Sequence, residues 1–145
     1  MKTRWRNLFA IVAGIVLLGF IMPISAPRGV LTMELLNLKQ VVIVLRMYHQ
    51  DEDRLPKTLD DLVVNGSKRY VSKADWSQIS KFTLPTTKQR MDWLYYPERF
   101  KEGDSEPRII LASPEAYKGN RVIGLSDFSA RIISEKDFTT LNARR

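Results

Sequence analysis

The sequence predicts an α+β domain: a central α-helix packed on an antiparallel sheet of about four strands, carried by an N-terminal membrane helix. Three observations predict it. Between Thr32 and Pro56, apolar residues recur at the alternating spacings of one helical face. In the last third, short runs rich in β-branched and aromatic residues alternate with Gly, Pro, Ser and Asp turns. From Asn7 to Pro27 no residue carries a charge.

The uncharged stretch follows Lys2, Arg4 and Arg6, and Leu8 to Ile24 is long enough for a short or untilted span of a hydrocarbon core about 30 Å thick. Those cations, against Arg28 alone just beyond the segment, orient the N-terminus to the cytoplasm. The expected organisation is a signal anchor over 1–27, single-pass in the inner (cytoplasmic) membrane, and a periplasmic domain over 28–145. A cleaved signal peptide ending at Ile24-Ser25-Ala26 competes with this. Pro27 directly after that point and the bulky Ile24 disfavour cleavage, so a retained anchor is expected.

In the central helix, Leu31, Leu35, Leu38, Val42 and Leu45 form one face, which Val41, Val44 and Tyr48 widen. Leu36, Ile43 and Met47 lie nearly opposite, leaving Lys39, Arg46 and Gln50 as the wet strip. A helix this apolar is expected to be covered on more than one flank. Thr32 reads as its N-cap, with Glu34 against the positive helix end. Asp51-Glu52-Asp53 is poor helix, and Pro56 pushes Leu55 into an extended conformation.

Thr58-Leu59-Asp60-Asp61 reads as a capping box that opens a short helix, stopped by Asn65-Gly66, with Leu59, Leu62 and Val63 facing the core. Ser72 to Asp75 repeats the cap, with Trp76 and Ile79 as the apolar side. Ser77 to Arg90 shows little regularity and is expected to be a loop around Pro85, Thr86 and Thr87. Four strands follow, over Asp92–Tyr96, Arg108–Ala112, Arg121–Leu125 and Ala130–Ile133. Ser134 then caps a terminal helix that buries Phe138 and Leu141.

Asn37-Leu38-Lys39-Gln40, Leu45, Tyr48, Asp51, Arg54-Leu55-Pro56 and Asp61-Leu62 together resemble the type IV pilin-like proteins. The pattern is most similar to the G-type major pseudopilin family of type II secretion. In that family the helix ends in a Tyr, an Asp, a Gly, then Arg, an apolar residue and Pro. Asp53 stands where the Gly would be, and Asp tolerates the left-handed turn better than most residues. At the other end Asp127 sits in the family's late turn, with Phe128-Ser129-Ala130 replacing Gly-His-Val. The prepilin cleavage motif is absent: Arg6-Asn7-Leu8-Phe9 replaces it, and the first acid is Glu34. Pro23, Pro27 and Gly29 are expected to interrupt the helix that pilins keep continuous.

The sharper chemical readings compete with plainer ones. There is no cysteine, which removes disulfides, thiolate metal sites and Cys nucleophiles. His49 is the single histidine, beside Tyr48 near the helix end, and reads as a packed or solvated side chain. Gly124-Leu125-Ser126-Asp127-Phe128 begins like a nucleophile elbow but lacks the second Gly, so a hairpin turn is expected. Asp60-Asp61 and Asp51-Glu52-Asp53 are adjacent acids that do not face one another on a helix. Glu102, Asp104 and Glu106 occupy the region where some major pseudopilins hold calcium; alternating acids in an exposed loop more often serve solubility. Trp93, Tyr95, Tyr96, Arg99 and Phe100 could form a stacking platform for single strands, but alternating aromatics more often pack on a helix.

The expected function is therefore non-enzymatic, with no catalytic residue, metal or cofactor. The resemblance implies an anchored envelope protein that works by protein–protein packing in a secretion- or pilus-type assembly. Its partners would be other envelope or pseudopilin-like proteins and the membrane, with no nucleic acid and no small-molecule substrate. The apolar surface of Met33–Tyr48 and the loops around Ser77–Arg90 would carry that role. The alternative is a stand-alone anchored periplasmic binding or adaptor domain that reuses the pilin head without polymerising. The net charge of +7 suits attraction to anionic headgroups beside such an anchor.

Overall fold

The structure, a computed structural model, describes residues 27–63 and 70–143. The expected anchor and the Asn65-Gly66 stop lie outside those residues. Among the described residues, no helix is long and apolar enough to cross a membrane.

The chain enters through a short helix, α1 (Pro27–Val30), and continues almost at once into the long helix α2 (Thr32–Glu52). Pro27 is the first residue of α1, where its missing N–H costs nothing. Gly29 lies within that helix, and Leu31 joins the two in helical conformation, its carbonyl accepting from Leu35 N at 2.9 Å. Gly29 thus sits inside a helical turn, while the junction before Pro27, where the interruption is expected, lies outside the described residues; Leu31, not Thr32, holds the N-cap position of α2. Pro23 lies outside the described residues. At the far end Asp53 takes the left-handed conformation, φ 52° and ψ 24°, with its N–H on His49 O.

A 3-10 turn (Leu59–Leu62) and helix α3 (Lys73–Ile79) flank α2. Asp61 accepts the N–H of Thr58 at 3.0 Å, and Ser72 Oγ accepts the N–H of Asp75 at 3.1 Å, as the two cap signals imply. The Ser77–Arg90 segment is not a plain loop. It holds the end of α3, strand β1 (Lys81–Thr83) and the start of β2 (Arg90–Asp92), paired antiparallel as a hairpin of their own. Lys88 turns that hairpin at φ 59°, and Lys81 Nζ meets Asp92 Oδ1 at 2.9 Å across it.

The single strand expected over Asp92–Tyr96 is divided. Trp93 lies between β2 and β3 (Leu94–Tyr95), and the chain changes sheet there. Strands β3, β4 (Ile109–Ala112), β5 (Asn120–Leu125) and β6 (Ala130–Ser134) form a four-stranded antiparallel meander in sequence order. Helix α4 (Glu135–Asn142) closes the fold.

The sheet is covered on both faces. Val122, Leu111 and Ile110 join the core beneath α2, while Ile123, Leu125, Ala112 and Ile109 join Phe138 of α4 on the other side. A register shift between Ile109 and Leu111 explains how the adjacent Ile110 and Leu111 share the α2 side. Gly124 is what lets α2 approach. A Cβ there would stand 3.0 Å from Val42 Cγ2 and 3.1 Å from Leu111 Cβ.

Candidate functional site

Two surfaces stand out, and both are built on α2. The first is a flank that none of the described residues covers. Leu38, Val41, Val42 and Leu45 are buried against the sheet, and Val44 and Tyr48 are buried beside them. On the opposite side Met33 is 65% exposed, Leu36 46%, Ile43 57% and Met47 46%. The expectation that α2 is covered on more than one flank as far as Leu36, Ile43 and Met47 is thus corrected. The sheet, α3 and the 3-10 turn close only part of its circumference.

Met33, Leu36, Gln40, Ile43 and Met47 follow one another at alternating steps of three and four, the period of a helix–helix seam. At about 1.5 Å per residue the seam runs about 21 Å along the axis. One polar residue, Gln40, interrupts it. A groove of about 530 Å³ lies alongside, with Ile43 and Val44 on one wall and Tyr70, Val71 and Ile79 on the other. The Tyr70 hydroxyl donates to Asp51 Oδ2 at 3.1 Å, tying that wall to the helix end.

The second surface is a cleft of about 590 Å³ at the C-terminal end of α2. Its walls include three rings. His49 meets Phe100 edge-on with centroids 4.8 Å apart, and lies nearly parallel to Phe128 at 5.7 Å. Phe100 and Phe128 are 5.6 Å apart, which closes the triangle. The His49 side chain is 13% exposed, and its Nδ1 is buried without a hydrogen-bond partner. Phe128 stands at φ 60° in the β5–β6 turn, a conformation rare for a bulky residue. The turn is fixed by Asp127 Oδ1, which accepts from Ser129 N at 3.0 Å and Ser129 Oγ at 2.6 Å. Asp53, Glu102, Asp104 and Asp127 bring four carboxylates to the lining, against the cations Arg46 and Lys101.

The residues singled out in the sequence are distributed as follows. Glu102 and Asp104 line the cleft, and Glu106 does not. Asp104 is held by Arg108 at 2.8 Å, and among the described residues no three His, Cys, Asp or Glu side chains converge as a metal site would require. The aromatic run Trp93 to Phe100 forms no common platform. Trp93 is buried edge-on to Phe82 and donates its indole N–H to Ile79 O at 3.0 Å. Tyr95 donates to Pro56 O at 2.8 Å, and burial holds its phenol well above the ordinary value. Tyr96 stacks under the guanidinium of Arg99 at 3.9 Å. Asp60 accepts from the Trp76 indole at 3.4 Å and Asp61 caps Thr58, so that acidic pair is structural. Ser126 Oγ accepts from Arg108 N at 2.9 Å, and its segment is a hairpin turn.

The clustering of His49 with Phe100 and Phe128 is the feature that sequence reasoning missed. One signal pointed to it. Phe128 occupies a turn position where the resembled family has Gly, and a bulky residue held there needs something to pack on. Compared with protein-family models, curated proteins and solved structures, the chain matches none.

Proposed function

We propose that this chain is a membrane-anchored, pseudopilin-like envelope protein that acts by packing against other proteins of a secretion- or pilus-type assembly. The observation that carries this reading is the exposed seam of Met33, Leu36, Ile43 and Met47 on a helix whose other side is anchored in its own sheet. Four large apolar side chains aligned on one helix are costly to leave in water. Their heptad-like spacing suits the apolar stripe of another helix. The uncharged Leu8–Ile24 segment, a short distance before α1, supports an anchor that presents this seam close to the membrane.

The long helix, the hairpin ending and the left-handed Asp53 agree with the head that the resemblance implies. A second reading, a stand-alone anchored domain that does not polymerise, draws on one specific observation. Glu34, the first acid in the chain, is 7% exposed and spends its carboxylate on Thr83 N–H inside the domain. It is not free to meet the amine of a neighbouring subunit. The two readings combine into one expectation: packing with different proteins, without homopolymer formation. Substitution Ile43→Asp tests the seam directly. Because Ile43 is exposed, unfolding should change little, within about 0.5 kcal/mol, while the complex extracted from membranes is lost on a native gel. An unchanged complex would remove the seam from the interface.

A further inference from the structure

The cleft at the end of α2 is separate from the exposed seam and does not depend on the seam's role. From its geometry we infer that it binds a guanidinium-type organic cation. Four features converge there. The first is charge: on a protein of net charge +7, the lining brings together Asp53, Glu102, Asp104 and Asp127, and with Asp104 paired to Arg108 three carboxylates remain against Arg46 and Lys101. The second is the C-terminal end of a 21-residue helix, whose macrodipole adds partial negative charge near Gln50 and Asp53. The third is the aromatic wall, with His49, Phe100 and Phe128 all within 5.7 Å of one another by ring centre. The fourth is the loop's own chemistry: Asp104 already holds one guanidinium, that of Arg108, at 2.8 Å.

These features select the ligand class. A bare metal ion needs several oxygen or nitrogen ligands converging within about 2.6 Å of one point. Among the described residues no three His, Cys, Asp or Glu side chains converge in that way. An anion would face the carboxylate excess. A flat, weakly hydrated guanidinium can lie on an aromatic face while its N–H groups reach carboxylates at the rim. Glu102, with its side chain 83% exposed, and Asp53, which turns the chain out of α2, are placed to supply that rim. The guanidinium could belong to a free small molecule or to an arginine of a partner chain.

The test uses the full chain in detergent micelles and the His49 ring as reporter, since the sequence has a single histidine. NMR titrations are run with agmatine and, separately, with the blocked tripeptide acetyl-Gly-Arg-Gly-amide. A saturable shift of the His49 ring signals is expected. A response to agmatine alone assigns the site to a small molecule, and a response to the peptide assigns it to an arginine of a partner chain. Phe128→Leu, which keeps apolar bulk but removes the ring, should weaken binding about two- to fivefold. Asp53→Asn should weaken it too, and it keeps a residue that tolerates the left-handed turn, so it carries the test even if the Phe128 variant does not fold. No shift at tens of millimolar ligand overturns the inference. So does an equal or stronger response to calcium chloride or sodium acetate, or undiminished binding in the Asp53→Asn protein.

Discussion

Glu34 accepts the backbone N–H of Thr83 at 3.1 Å, so the first turn of α2 is fastened to the β1–β2 hairpin across 49 positions of sequence. Burial pushes the carboxyl above its ordinary value of 4.5, opposed by the Thr83 N–H, by Asn37, and by the charges of Arg90 and Lys88. The folded protein therefore holds this proton more tightly than the unfolded chain does. The stability gained is complete below pH 4.5 and is lost as pH rises through the folded value. Glu34→Gln keeps an acceptor for Thr83 and removes the charge. Denaturant unfolding should show the variant more stable than wild type at pH 7, the difference closing towards pH 4. A variant less stable at pH 7 would mean that Arg90 and Lys88 outweigh burial.

Gly124 and Val42 mark the closest approach of helix to sheet. Gly124→Ala should destabilise the fold by about 1–3 kcal/mol, because the buried Val42 and Leu111 would have to shift within a close-packed core to admit the methyl. Val42→Ala opens the space that the new methyl needs. The double variant should therefore be more stable than the two separate losses imply, a coupling readable by urea unfolding in a double-mutant cycle. Simple additivity would place the strain elsewhere.

The N-terminal segment should remain attached. Mass spectrometry of the membrane-extracted protein is expected to give an intact chain, apart from loss of Met1. A mature chain beginning at Pro27, or release by osmotic shock, would contradict the anchor. A start at Asn7 or Leu8 carrying N-methylation would point to prepilin-type processing.

The four-stranded meander was legible because each strand is a short apolar run closed by turn residues, as in Arg121–Leu125 followed by Ser126–Ser129. The caps at Ser72 and Ser134 were legible for the same local reason: a serine with an acid three residues on. The β1–β2 hairpin was not. Lys81-Phe82-Thr83 is too short a run to stand out, Arg90-Met91-Asp92 carries little strand propensity, and tertiary contacts hold both in place: Phe82 against Trp93, Thr83 on Glu34, and Arg90 on Ser77 O. Periodicity identified the buried face of α2 but could not say how many flanks have partners. An apolar Ile43 reads the same whether its neighbour lies in this chain or another. Of the cleft, Glu102 and Asp104 were marked in sequence, whereas the meeting of His49 with Phe100 and Phe128 depends on three segments distant in the chain.

The central claim is that the seam on α2 receives another protein, and photo-crosslinking in intact cells tests it most directly. A photoreactive residue at Ile43 or Leu36 is compared with one at Lys136, which is exposed on α4 across the sheet. The account predicts a discrete heteromeric band from Ile43 and Leu36, and none from Lys136. Equal labelling at all three positions would contradict an interface at the seam, and a regular ladder of homo-oligomers would contradict a protein that packs only with others.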